Sequence, residues 1–532
     1  MYGLEIVVAV GAALLFGSLA ARRLHLTPPL ALLGAGLLLG FLPPLHGAKM
    51  PPETVLLLFL PALLFWDSLT TSLQEIRRNL RGIVLASTLL VVITAGAVAA
   101  VAHGFGVPWG PAWVLGAALA PTDATAIGIL GRLLPYRNMT VLRAESLVND
   151  GTALVVYGVA LAYSLGRHVG PLDVGLDLLR SYGGGVAAGI VIAYPGLQLR
   201  RRIADPMLSS TATALIPFAA YLLAESAGAS GVLAVVTAGL WISQASPWRG
   251  RAVTRHQTEV VWGLLTFWLN GALFVLVGLQ LPATVSGLTS SRLGPALGLV
   301  AAAAATLVAS RIGFLLASAY TIRLLDRRPS QRGRLVGNRY RIVSGFAGFR
   351  GAVSLAIALS IPETTGSGAH FPYRDVIVFV TAGVIVVSLA QGLFLPALVR
   401  WAHLPRDTTL REQSRLADHE ATEAVLAALD ELADKAGAET ETVERFRREY
   451  ERHLQDLDDN ADRAAGGDAS GPADMSQYTQ AARLRKAALA HKRATLTRMR
   501  SERRIDDAVY RRRLSALDLE ELRLLAGRRP VD

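Results

Sequence analysis

A chain of 532 residues that is 52% hydrophobic and only 18% charged is no ordinary soluble protein, in which apolar runs are shorter and charge is denser. It contains no cysteine, which excludes disulfides, thiolate metal sites and thiol catalysis. The formal net charge of +12 could suggest nucleic acid, but outside the C-terminal part most basic residues stand in short loops between apolar segments, so no nucleic-acid partner is expected.

Apolar stretches begin at position 3 and recur to about Ala402, each near the ~20 residues that cross a bilayer. About thirteen spans are predicted, centred near residues 3–20, 29–43, 54–72, 82–103, 110–131, 139–165, 181–198, 208–225, 229–243, 259–280, 293–320, 343–361 and 375–401. The first has no basic segment before it and is followed by Arg22 and Arg23, the reverse of a secretory signal. Alternate loops differ sharply in charge. One set holds Arg22, Arg23, Arg77, Arg78, Arg81, Arg132, Arg137, Arg200, Arg201, Arg202, Arg249, Arg251, Arg255 and the basic loop 323–341. The other holds little beyond Lys49, Arg167, Arg180, Arg292 and Arg374. By the positive-inside rule the amino terminus lies outside and the chain after residue 402 lies in the cytoplasm.

Four spans carry groups that a plain lipid-facing helix would not. The fifth contains Ala120-Pro121-Thr122-Asp123-Ala124-Thr125 near mid-depth, and the twelfth contains Gly345-Phe346-Ala347-Gly348-Phe349-Arg350-Gly351. Irregular backbone at membrane depth is tolerated only inside protein or along a water-filled cavity. Thirteen spans divide into six, a linker and six, and these two then hold corresponding, inverted positions, where transporters place their substrate sites. Pro121 could merely kink a helix, and the glycines could merely allow close packing. Asp123 and Arg350 are not explained in that way.

The sixth span contains ESLVNDG, residues 145–151. On a helix Ser146 and Asp150 share one face, and Glu145 and Asn149 share another. A carboxylate beside a hydroxyl and an amide oxygen supplies the hard ligands of a small desolvated cation. Burial disfavours the ionised form of any carboxylate, so the same group can take a proton instead. Asp150 is therefore the expected carrier, binding a proton or a cation but never both. Glu145 requires a cationic partner, because a buried unpaired charge is costly. Arg311, which interrupts an apolar run in the eleventh span (LVASRIGFLL), and Arg350 are the candidates. If Arg311 pairs with Glu145, Arg350 can balance the half-helix dipoles at the breaks. Asp67, Glu225 and Glu259 lie near span ends and are read as facing the interface or loops. The ten histidines form no evident cluster, and the absence of GxxxxGK[ST] argues against an ATP-driven pump.

After His403 the sequence turns rich in Arg, Glu, Asp and Ala. The sequence thus divides into a transmembrane region, residues 1–402, and a helical tail, 403–532. Val425, Leu426, Leu429 and Leu432, and then Phe446, Tyr450, Leu454 and Leu457, recur at helical spacing. A Gly-rich break at 466–474 precedes two basic helices, about 475–497 and 500–527. Their stripes could pack on each other, on the membrane part or on a second copy.

APTDATA (120–126), ESLVNDG (145–151), TFWLNGALFVLVGL (266–279), the Arg311 helix and GFRGAVSLA (348–356) together resemble the bacterial NhaP-like members of the sodium/proton exchanger family, monovalent cation:proton antiporters. The resemblance covers residues 1 to about 402. It implies an all-α polytopic protein of the inner membrane with inverted repeats and two crossing broken helices, assembled as a homodimer. It also implies Asp150 as carrier, Thr122, Asp123, Ser146 and Asn149 around it, and a Glu145–Arg311 pair. The implied function is exchange of Na+, Li+ or K+ for H+ by alternating access, electroneutral and without enzyme activity or cofactor. A K+/H+ antiporter with the same site, and an ion-binding sensor signalling through its tail, are the alternatives.

Overall fold

The computed structural model describes residues 2–24, 26–42, 52–123, 136–166, 170–203, 205–245, 252–286, 290–325, 337–364, 370–403, 409–459 and 475–526. Ala124 and Thr125 of the fifth span, the break at 466–474 and loop residues such as Lys49, Arg132, Arg167, Arg249 and Arg251 lie outside them. Among the described residues the structure is helical, with one isolated bridge between Thr364 and His370.

Before position 403 the helices are α1 (Tyr2–Leu24), α2 (Pro28–Gly40), α3 (Pro52–Thr70), α4 (Leu73–Leu85), α5 (Val91–Gly104), α6 (Trp109–Leu119), α7 (Tyr136–Ser164) and α8 (Pro171–Arg202). They continue with α9 (Pro206–Ser226), α10 (Gly231–Ala245), α11 (Ala252–Ser286), α12 (Ser290–Leu325), α13 (Asn338–Phe346), α14 (Ala352–Leu359), α15 (Arg374–Gln391) and α16 (Leu395–Ala402). Eight described helices are long and apolar enough to cross a membrane, and Pro28–Gly40, Leu57–Thr70 and Gly231–Gln244 are shorter apolar helices. Large side chains such as Phe16, Leu38, Leu179 and Leu215 are exposed on outer faces, as expected of helices solvated by lipid.

Local chemistry sets several boundaries. Proline at the first helical turn begins α2 and α9, where its missing N–H costs nothing. Asp205 caps α9 by accepting from the Leu208 N–H at 2.9 Å. The expected span 375–401 is in fact two helices, because the chain turns at Gly392 and restarts with Pro396 in the first turn of α16. Between α4 and α5, Ala86–Leu90 forms a π-helical turn.

Two groups of helices emerge from the packing: α1–α3 with α8–α11, and α4–α7 with α12–α15. In the first, α2 and α11 approach so closely that a Cβ on Gly36 would overlap the Val275 carbonyl, and one on Gly278 would overlap that of Leu33. Small residues permit such backbone contact in membranes. The groups meet along α3, α7, α10, α11, α14 and α15.

The later helices are α17 (Thr409–Ala427), α18 (Leu429–Ala436), α19 (Thr440–Asp459), α20 (Met475–Ser501) and α21 (Asp507–Ala526). Their stripes pack on each other. Leu489, Leu496, Met499, Val509 and Tyr510 form one core, and Val425, Leu429, Phe446 and Leu484 another. Helix α21 also lies against α11.

Candidate functional site

Residues that the sequence scatters over more than two hundred positions converge where the two helix groups meet. Helix α6 ends at Leu119, and Pro121–Asp123 continue as non-helical backbone. In the twelfth predicted span, α13 ends at Phe346 and α14 begins at Ala352. The interruptions touch, since the Asp123 N–H donates to the Phe349 carbonyl at 2.8 Å. The crossing is tight enough that a Cβ on Gly351 would overlap the Asp123 carboxylate. Each break thus supplies partners for backbone groups that the other leaves without helical bonds.

Arg350 completes that exchange. Its Nε donates to the Leu119 carbonyl at 2.9 Å, Nη1 donates to the Gly348 carbonyl, and its backbone N–H donates to Ser388 Oγ at 2.8 Å. A buried guanidinium thus sits on carbonyls at the end of α6 and in the second break. A cation is favoured there, because those carbonyls carry the negative end of a helix dipole.

Helix α7 has two working faces. On one, Glu145 Oε1 lies 2.8 Å from Arg311 Nη1, with both side chains buried. Arg311 Nε also donates to the Ser344 carbonyl at 3.3 Å, and Ser87 Oγ, in the π-helical turn, donates to the Glu145 carbonyl at 3.2 Å. Asn149 shares this face. Its Nδ2 donates to Thr122 Oγ1 at 2.7 Å, and its Oδ1 has no hydrogen-bond partner among the described residues. The other face carries Ser146 and Asp150. Ser146 Oγ donates to the Thr122 carbonyl at 2.7 Å. The Asp150 side chain is 5% exposed, and no hydrogen bond or ion pair to it occurs among the described residues.

Asp150, Ser146, Thr122 and Asp123 line one cavity between α3, α7, α11 and the second break. Asn149 does not line it. It borders a smaller space together with Glu145, Arg311, Arg350 and Thr122. Two further ionisable groups line the large cavity, Asp67 from α3 and Arg143 from α7. The expectation that Asp67 faces the interface is therefore corrected: it reaches inward from the last turns of α3. Arg143 stands two turns before Asp150 on α7, a position that the residue spacing alone could have revealed. Glu225, by contrast, accepts from the Gly231 N–H at 3.3 Å at a helix connection, and Glu259 accepts from Ser515 Oγ at 2.7 Å. No group of three or more His, Asp or Glu residues suited to a metal occurs among the described residues.

A family model described as the transmembrane sodium/hydrogen exchanger matches residues 10–401. The chain belongs to the sodium/hydrogen exchanger family. It is 41% identical over 531 residues to an uncharacterised Na+/H+ exchanger of Mycobacterium tuberculosis, covering 99% of this chain and 97% of that one. To the uncharacterised Na+/H+ exchanger YjcE of Escherichia coli it is 31% identical, covering 93% and 94%. In fold it is similar to the sodium proton antiporter MjNhaP1 of Methanocaldococcus jannaschii, with a TM-score of 0.55 and 20% identity over 75% of this chain and 99% of that one. As a member of this family the protein is a membrane cation/proton exchanger, and its crossed interruptions lie within the matched region. The 41% relative matches across the tail as well, so that exchanger shares both parts of the chain.

Proposed function

We propose that the protein exchanges Na+ for H+, one for one and electroneutrally, by alternating access, with Asp150 as the carrier of both. The observation that carries this reading is the contrast on α7. Asp150 is as buried as Glu145 yet makes no ion pair among the described residues, and it faces a cavity lined by two further carboxylates, Asp67 and Asp123, and by Arg143. Like charges held together out of water bind a proton or a metal cation readily. Ser146 and Thr122 lie beside Asp150 as oxygen ligands, while Asn149 acts through Thr122, holding the unwound segment in place. Glu145–Arg311 is a structural pair, and Arg350 compensates the helix ends.

In this reading thirteen helices cross the inner membrane of a homodimer, with inverted repeats, the amino terminus outside and residues 403–532 in the cytoplasm. The two helix groups move against each other, and the cavity at their boundary faces each side in turn. Li+ or K+ is the alternative cargo. That second reading has its own support, for antiporters of Bacillus pumilus and Bacillus subtilis named for sodium, potassium, lithium and rubidium are each 29% identical over 70% of this chain. The sensor alternative leaves the buried Asp150 carboxylate without a role.

The test uses the purified protein in proteoliposomes carrying a pH gradient, challenged in turn with Na+, Li+, K+ and Rb+. At least one cation is expected to dissipate the gradient, and Asp150→Asn abolishes that response while remaining folded and dimeric. If Asp150→Asn still exchanges, the carrier is another residue.

A further inference from the structure

Helix α21 does more than cover apolar surface: its first turns are built into the membrane part by a polar junction. Asp507 is fully buried and pairs with Arg500 Nε at 2.7 Å. The same carboxylate accepts from the Gln74 N–H at 3.2 Å, in the first turn of α4, and from Gln244 Nε2 at 3.3 Å, near the end of α10. It thereby caps α4 from more than four hundred residues away. Ser72 Oγ donates to Asp506 Oδ2 at 2.8 Å, Arg500 Nη2 donates to Gln244 Oε1 at 2.9 Å, and Arg511 Nη2 donates to the Thr70 carbonyl at 2.5 Å.

Two features give this junction a consequence for transport. First, α3 and α10 belong to one helix group and α4 to the other, so a single clasp holds both. Second, Ala508 and Arg511 line a space together with Thr70, Thr71, Ser72, Thr140 and Arg143. Arg143 also lines the Asp150 cavity, so the two spaces adjoin there. The clasp therefore borders the space that shares Arg143 with the Asp150 cavity.

We propose that the platform formed by Thr70, Ser72, Gln74 and Gln244 is a docking surface for the chain's own α20–α21 corner, that ions reach Asp150 from this space past Arg143, and that docking closes this access and restrains the two groups. The inference rests on the antiport reading above. A polar clasp suits a reversible contact, because its groups can be solvated by water on release, which an apolar core cannot.

The natural absence of cysteine makes the test direct. In the full-length protein, Ser515→Cys with Glu259→Cys places thiols on two side chains that touch at 2.7 Å. Linking them with a short bis-methanethiosulfonate is expected to lower exchange by roughly tenfold or more, restored by reductant. Exchange unchanged by a completed crosslink would overturn the proposal. Independently, Thr140→Cys in inside-out vesicles is expected to react slowly with an impermeant maleimide. Adding Arg511→Ala should accelerate labelling by roughly tenfold, and equal rates would show that nothing is closed. Because labelling needs no transport, protected Thr140→Cys in a protein without cation-driven proton flux would refute the antiport reading and leave the closure intact.

Discussion

The two faces of α7 carry one buried carboxylate each and treat it in opposite ways. Glu145 meets Arg311 at 2.8 Å, and its backbone carbonyl accepts from Ser87, so that face is fixed. Asp150, five residues further on, faces a cavity that Arg143 also lines, but among the described residues it is held in no ion pair. Burial does not separate the two, since Glu145 is 4% exposed and Asp150 5%. Pairing separates them. A carboxylate that already holds a cationic side chain has little to gain from a transported ion, whereas an unpaired one gains most from whichever cation or proton reaches it. The neutral residues follow the same division. Asn149 holds Thr122 from the fixed side, and Ser146 holds the Thr122 carbonyl from the cavity side.

If that division is right, substitutions on the two faces should damage different properties. Arg311→Ala leaves Glu145 buried and uncompensated, which is expected to cost about 3–5 kcal/mol of stability. Its melting temperature in detergent should fall well below that of Asp150→Asn, whose loss should appear in exchange instead. Equal melting temperatures for the two variants would mean that the pair contributes nothing. The next largest effect is expected at the crossing of the breaks. Gly351→Ala forces a methyl group into the space of the Asp123 carboxylate, and overpacking of this kind costs about 1–3 kcal/mol. Exchange should fall along with stability, and wild-type transport rates in Gly351→Ala would show that the close approach is incidental. The smallest effect sharpens the cavity side. Asp67→Asn removes one negative charge from the lining while leaving Asp150, so the half-saturating Na+ concentration should rise by roughly tenfold, about 1.4 kcal/mol, with the maximal rate largely kept. An unchanged half-saturation would place Asp67 outside the ion's field.

Much of this arrangement could be read from residue order, for reasons specific to membranes. A charge or a Pro-Thr-Asp segment within an apolar run has few explanations there, so both breaks and the two faces of α7 stood out. The pairing of Glu145 with one of two arginines was open in the sequence, because Arg311 and Arg350 are both intramembrane and linear order gives no distance between helices. Asp67 was misjudged for a related reason. Its place near a span end suggested the interface, but the broken helices beside α3 create a cavity that reaches this depth. The π-helical turn at Ala86–Leu90 contains neither Gly nor Pro and left no trace in composition. The clasp was also invisible, since Asp506, Asp507 and Arg511 look like solvated charges of an amphipathic helix until their partners on α3, α4 and α10 are known.

The claim that one carboxylate serves both ions is tested most directly by measuring the half-saturating Na+ concentration of the reconstituted wild-type protein as a function of pH. Competition for Asp150 predicts that, in the acidic limb, this concentration rises about tenfold for each unit by which the pH falls, the linkage expected of a single shared group. A half-saturating concentration that stays constant across the acidic limb would contradict the account, because the proton and the cation would then occupy separate sites.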